Sequence, residues 1–181
     1  MYLATPEMGA GPAVLVIPED RELCDLLATE GFTALAPDLN PGQTADELTA
    51  AIDFLKPHEA VRGQGIAVIG SGTGAGLALW LGIHRPEDVV ALVAVSGTVP
   101  AEAEQPDWSR LTAAVQGHFA ESDPTCPPDI VAGLEKSLAD ADVTVEFFTY
   151  PTDDPRFFDE DGDTARQAWI RTLEFLRKHL G

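Results

Sequence analysis

The sequence is poor in positive charge, in cysteine and in long apolar runs, and each shortage removes a class of function. Eleven lysines and arginines stand against thirty aspartates and glutamates, giving a formal charge of −19 at pH 7 over 181 residues. A field of that sign repels phosphate backbones and anionic lipid headgroups, so neither nucleic acid nor a membrane surface is an expected partner. The same acidity serves solubility in salt, which is the plainer reading of it. Two cysteines are too few for a disulfide framework. Cys24 lies among Leu23, Leu26 and Leu27 in an apparent helix and reads as a small buried apolar residue. Cys126, between Thr125 and Pro127 in a loop, reads as the more reactive thiol, although no basic residue beside it would lower its pKa. The longest apolar run, Val89 to Val95, is far short of the ~18 residues needed to cross a bilayer. MYLATPEMGAG at the start lacks the basic-then-apolar order of a secretory signal, and the expected location is the cytoplasm. No low-complexity tract and no repeat of ~20–50 residues is visible.

What is present is a steady alternation of short apolar runs and amphipathic segments. Strands are predicted at Ala13–Ile17, Phe32–Ala36, Gly65–Ile69, Val89–Val95, Leu111–Phe119 and Val143–Tyr150. Helices are predicted from about Asp20 to Glu30, then at Thr44–Leu55, Thr73–Ile83, Asp129–Ala141 and Thr164–Leu180. Strands that are apolar throughout and separated by helices imply a mostly parallel sheet covered on both faces, a three-layer α/β domain spanning residues 1–181. Ligands bind such sheets at the carboxyl ends of the strands, so the loops after Ile17, Ile69, Val95, Phe119 and Tyr150 are the ones to read.

The most informative of these is VIGSGTGAGLALWL, from Val68 to Leu81. Its GSGTGA segment fits the G-x-G-x-x-G/A fingerprint of a dinucleotide site, where backbone amides at a helix N-terminus meet a pyrophosphate. That reading wants an acidic residue about 20 positions on, to hold the ribose. The next strand ends instead in VAVSG, with Ser96 there and no carboxylate.

A second reading comes from the order of segments along nearly the whole chain. MYLATPE, PAVLVIPE, EGFTALAPDL, GIAVIGSGTGAGLALWLG, HFAESDPTCPP, VTVEFFTYP followed by RFF, and AWIRTLEFLRKHL succeed one another with spacing that resembles the dienelactone hydrolases of the α/β-hydrolase superfamily. The resemblance implies a sheet of about seven strands, ester or lactone hydrolysis, no cofactor, and a triad on three of these loops. In the family a glycine-flanked elbow carries a cysteine or serine at its centre. Laying Gly70 and Gly74 on the outer glycines puts Gly72 at the nucleophile position, with Ser71 one place off. The family's histidine follows the last strand, and Pro155 stands there. Of the four histidines, His58, His84 and His179 lie at or near helix ends and His118 lies inside a strand, so none replaces it. Asp123 alone keeps its triad position, although a turn residue before Pro124 is the plainer role.

A triad without nucleophile or base forms no acyl-enzyme. What the resemblance then implies is a site that keeps its shape, with backbone amides at Thr73 and after Ile17 able to hold a carbonyl or carboxylate oxygen. The chain also lacks the excursion the family inserts after its APDL strand. Residues expected around such a pocket are Glu19, Ser71, Gly72, Thr73, Ser96, Pro155 and Phe157. Glu19 falls where the family keeps a buried glutamate, though an exposed helix start is equally compatible; Ser96 is either a pocket hydroxyl or a turn residue. Asp153, Asp154, Asp159, Glu160, Asp161 and Asp163 make an oxygen-rich loop without the spacing of an EF-hand, so a solvated acidic surface is expected and no metal. Trp80 and Trp169 read as core. The expected function is thus a non-catalytic relative of these hydrolases, binding a small carbonyl or carboxylate ligand or serving in an assembly. The alternatives are an active ester or lactone hydrolase using Ser71, Ser96 or Cys126, and nucleotide binding at the glycine turn.

Overall fold

The computed structural model describes residues 1–99, 106–159 and 162–181. Its strands are β1 (Tyr2–Ala4), β2 (Gly11–Ile17), β3 (Thr33–Ala36), β4 (Val61–Ser71), β5 (Val89–Val95), β6 (Ala114–Ala120) and β7 (Val145–Tyr150). The helices are α1 (Arg21–Thr29), α2 (Thr44–Leu55), α3 (Thr73–His84), α4 (Pro128–Asp140) and α5 (Asp163–Leu180). The strands form one sheet in the order β1-β3-β2-β4-β5-β6-β7. Only β1 runs antiparallel, against β3; every other pairing is parallel.

The strand period of two sends alternate side chains to opposite faces. Along β2, Ala13, Leu15 and Ile17 join a core with Leu48 and Ile52 of α2 and Leu79 of α3. Val14 and Val16 point the other way, to Cys24 and Leu27 of α1 and Leu173 and Leu176 of α5. Two cores therefore sandwich the sheet. Burial on both sides is why the strands read as continuous apolar runs.

Local chemistry sets the ends of the elements. Asp20 caps α1 by accepting the Leu23 N–H at 2.9 Å, and Gly31 leaves it in the left-handed region at φ +96°. Strands β2, β3 and β7 start within two residues of expectation, and two starts differ by more. β6 begins at Ala114 rather than Leu111, because Trp108–Arg110 form a short 3-10 turn and pairing with β5 starts at Ala91↔Ala114. β4 is longer than its apolar pattern, starting at Val61 with exposed Arg62, Gly63 and Gln64. Among the described residues no helix is long and apolar enough to cross a membrane.

Candidate functional site

Parallel strands with crossover helices bring the loops after β2, β4, β5, β6 and β7 to one edge of the sheet. The sharpest turn there is β4–α3. Gly72, between Ser71 and Thr73, has φ +54° and ψ −121°. Its N–H donates to the Val95 carbonyl at 2.9 Å and its carbonyl accepts the Ala75 N–H at 3.1 Å.

Steric demands divide the glycines of this turn into two kinds. A Cβ on Gly70 would fall 2.3 Å from the Gly74 carbonyl oxygen, one on Gly74 2.2 Å from that of Ile17, and one on Gly97 2.0 Å from that of Gly72. These three positions let β2, β4, α3 and the loop after β5 meet backbone to backbone. A Cβ on Gly72 would meet nothing within 4 Å. What demands glycine at 72 is the positive φ alone.

Ser71 and Thr73 flank the apex and are both exposed. The Thr73 amide lies in the first turn of α3, where backbone donors lack intrahelical partners. In the loop after Ile17 the first residue, Pro18, carries no N–H, so any second amide there comes from Glu19 or beyond. Glu19 is exposed rather than buried, its carboxylate 2.8 Å from Arg21 Nε. β2 has ended two residues earlier, and Glu19 already belongs to the solvent-facing approach to α1.

Ser96 follows β5 and is held at φ 48°, uncommon for a residue with a side chain. Its N–H donates to the His118 carbonyl at 2.9 Å. The residue is 6% exposed, and its Oγ has no hydrogen-bond partner among the described residues. Asp123, after β6, is 2% exposed. Its Oδ1 accepts the Thr125 N–H at 2.7 Å and the Thr125 hydroxyl at 2.6 Å, whereas Oδ2 has no partner among the described residues. Cys126 is not the open thiol its loop position implied. It is 1% exposed among Phe119, Phe147 and Val131, and burial pushes its pKa up to about 11.

The loop after β7 passes close to Asp123. The Thr152 carbonyl accepts the N–H of Ser122, and Asp154 Oδ1 accepts the Arg156 N–H. Pro155 sits between them, half-buried. Phe157 is a core residue rather than a pocket wall, its ring 5.1 Å from that of Tyr150 and packed with Ala120 and Ala168. Glu160 and Asp161 lie outside the described residues. Burial first, then Asp20, raises the pKa of Asp159. Among the described residues no group of three His, Cys, Asp or Glu side chains is placed to hold a metal ion. Trp80 and Trp169 are only half-buried, each against one of the two cores.

The histidines lie elsewhere. His58 and His84 sit at the ends of α2 and α3 that lead to the starts of β4 and β5, and His179 sits in the last turn of α5. His118 is buried in β6, where Nδ1 is 2.8 Å from the Tyr150 hydroxyl and Nε2 2.8 Å from Gln116 Oε1. Sequence reading missed this network, and also the two unpartnered oxygens. Its only signal was polar residues, Gln116 and His118, alternating along a strand otherwise buried on both faces.

The dienelactone hydrolase family model matches residues 40–180. Protein usf of Aquifex pyrophilus is 26% identical over an alignment of 217 residues, covering 99% of this chain and 93% of that protein. The alignment exceeds the 181 residues present here, so that relative carries insertions this chain lacks. A dienelactone hydrolase-like promiscuous phosphotriesterase from metagenomic libraries superposes with a TM-score of 0.75 at 20% identity, covering 96% of this chain and 88% of that one. A Pyrococcus furiosus esterase gives 0.76 at 16% identity, covering 99% and 90%. The shared architecture is that of the α/β hydrolases, and the chain belongs to the dienelactone hydrolase family.

Proposed function

We propose that this family member has lost nucleophile–histidine catalysis and retains its site as a receptor for a small carbonyl or carboxylate ligand. One observation carries the reading: the apex of the β4–α3 turn has elbow-like backbone angles and open space for a side chain, yet bears none. Acyl transfer needs an atom there that attacks a carbonyl and a base that takes its proton. Gly72 supplies no such atom. Pro155, in the loop that contacts the Asp123 segment, supplies no base. Ser71 is one residue from the apex with no imidazole beside it, and Cys126 is sealed in the core with a raised pKa. The Thr73 amide, at the positive end of the α3 dipole, still favours an electron-rich oxygen.

Incubation of the purified chain with p-nitrophenyl acetate and with a fluorophosphonate probe tests the reading. The expected result is hydrolysis at the buffer rate and no stable adduct by intact mass. Turnover well above buffer, or one labelled residue, overturns it.

A further inference from the structure

A cleft of about 480 Å³ opens between the first two turns of α1 and of α5, on the face of the sheet away from α2 and α3. Its volume falls in the ~300–1,000 Å³ range of small-molecule sites. At their far ends the two helices are tied by Arg177, which reaches Glu30 at 2.7 Å. Near their starts, side chains that could close the gap stay open to solvent. Leu26 is 53% exposed, and Leu23, Phe158 and Trp169 are half-buried. Phe158, in the turn before α5, meets Trp169 edge-on, with ring centroids 6.3 Å apart and planes at 77°.

The rim of this apolar cleft is acidic. Asp20, Glu22 and Asp159 line it, and none of them makes an ion pair among the described residues. Arg166 is the one base on the described lining, and Asp163 holds that guanidinium at 3.0 Å. Asp20 and Asp159 sense each other. Burial first, then the Asp20 charge, raise the pKa of Asp159, against a smaller opposing effect of Arg156. A cation beside both carboxylates relieves that repulsion. Ring faces carry the negative lobe of the aromatic quadrupole, so Trp169 and Phe158 also favour a cation brought within ~6 Å. Anions are disfavoured twice, by the rim and by the net charge of −19.

We propose that the α1–α5 cleft binds a small organic ammonium, a protonated primary amine on an alkyl or aryl body. The body lies against Leu23, Leu26 and Trp169, and the nitrogen faces Asp20 and Asp159. Apolar walls alone would take a neutral molecule, and carboxylates alone an inorganic cation. Together in one cleft they select a ligand that carries both parts. The three donors of a primary ammonium suit two acceptor-only carboxylates, and charge strengthens each bond. None of these residues belongs to the β4–α3 turn, so the inference stands apart from the fate of Gly72.

Titrating the full chain with phenethylammonium chloride tests it, following the tryptophan indole N–H signals by 15N NMR at constant ionic strength. The chain has three tryptophans, and the signal lost in Trp169→Phe is assigned to the cleft. The expected result is a saturable shift of that signal. 2-Phenylethanol, the body without the charge, and methylammonium, the charge without the body, should each bind at least severalfold more weakly. Asp20→Asn and Asp159→Asn should each weaken phenethylammonium binding about two- to fivefold, as for a solvent-accessible ion pair. Asparagine still caps α1 at position 20, and Asp159 is exposed, so both variants keep the fold. Asp129→Asn, on the exposed start of α4, leaves binding unchanged. No saturable shift, an equal response to either truncated probe, or binding indifferent to both aspartate substitutions overturns the proposal. A shift that follows protein concentration instead of ligand also overturns it, and marks the cleft as a contact between copies of the chain.

Discussion

The His118 imidazole accepts a hydrogen bond from the Tyr150 hydroxyl at Nδ1, at 2.8 Å, and directs its own N–H at Nε2 to Gln116 and Thr172. The neighbours dictate this tautomer. Thr172 spends its hydroxyl proton on the Ala168 carbonyl at 2.9 Å, and Gln116 turns its amide nitrogen to the Arg171 carbonyl at 3.2 Å, leaving oxygens toward Nε2. Arg171 donates to the Tyr150 oxygen at 3.1 Å, placing a fixed positive charge behind the ring. Burial, and then that charge, lower the His118 pKa to about 3.

Stability should therefore fall on acidification before the carboxylates titrate. The unfolded chain takes up a proton near pH 6.5 that the folded chain refuses until about 3. The His118 contribution is complete above 6.5 and is lost as pH drops through that window, at up to about 1.4 kcal/mol per pH unit. Urea denaturation at pH 7, 6, 5 and 4 measures it. His118→Asn should be less stable at pH 7 by roughly 1–3 kcal/mol, from unsatisfied partners, but show a shallower decline below pH 6.

Neither cysteine should react in the folded protein. Cys24 and Cys126 are 0% and 1% exposed, and burial pushes their pKa values up to about 12 and about 11. Iodoacetamide at pH 8 is expected to leave the native chain unmodified and to alkylate both thiols in guanidinium. Native alkylation of Cys126 would reopen it as a nucleophile.

The glycines of the β4–α3 turn should differ sharply in tolerance. Gly72→Ala adds a methyl to open space and pays only for a positive φ, roughly 1–3 kcal/mol. Gly74→Ala drives a methyl into the Ile17 carbonyl and should lose more than that or fail to fold. Denaturation midpoints of the two variants make the comparison. Equal losses would mean that the turn relaxes as a unit.

Restoring side chains at two positions should create chemistry. Gly72→Cys combined with Pro155→His places a thiol and an imidazole on loops that already carry Asp123. Hydrolysis of p-nitrophenyl acetate is expected at least about tenfold above the native chain, a modest share of what a positioned general base provides. Pro155→His alone should give none.

The architecture was legible because it rests on repetition. Ala13–Ile17 and Val89–Val95 are apolar on both faces, and such runs have few homes outside a covered parallel sheet. Strand starts were harder, since β4 reaches back to Val61 through one pairing with Gly11 and the exposed residues 62–64 rather than through apolar content. At the site, residue types could be read but not burial. Cys126 looked open because it lies in a loop between Thr125 and Pro127, yet its side chain turns inward onto Phe119 and Val131. Glu19 looked like a pocket acid because it falls where the family keeps a buried glutamate, yet it pairs with Arg21 in solvent. The unpartnered oxygens of Ser96 and Asp123 were invisible, because lacking a neighbour is a property of three-dimensional packing.

The interlocking of Gly70, Gly74 and Gly97 has a consequence for descent. In this bend, geometry and reactivity are written at separate positions: three residues hold the backbone crossing, and a fourth decides whether anything protrudes from it. A lineage can therefore surrender its reaction at the fourth without loosening the other three.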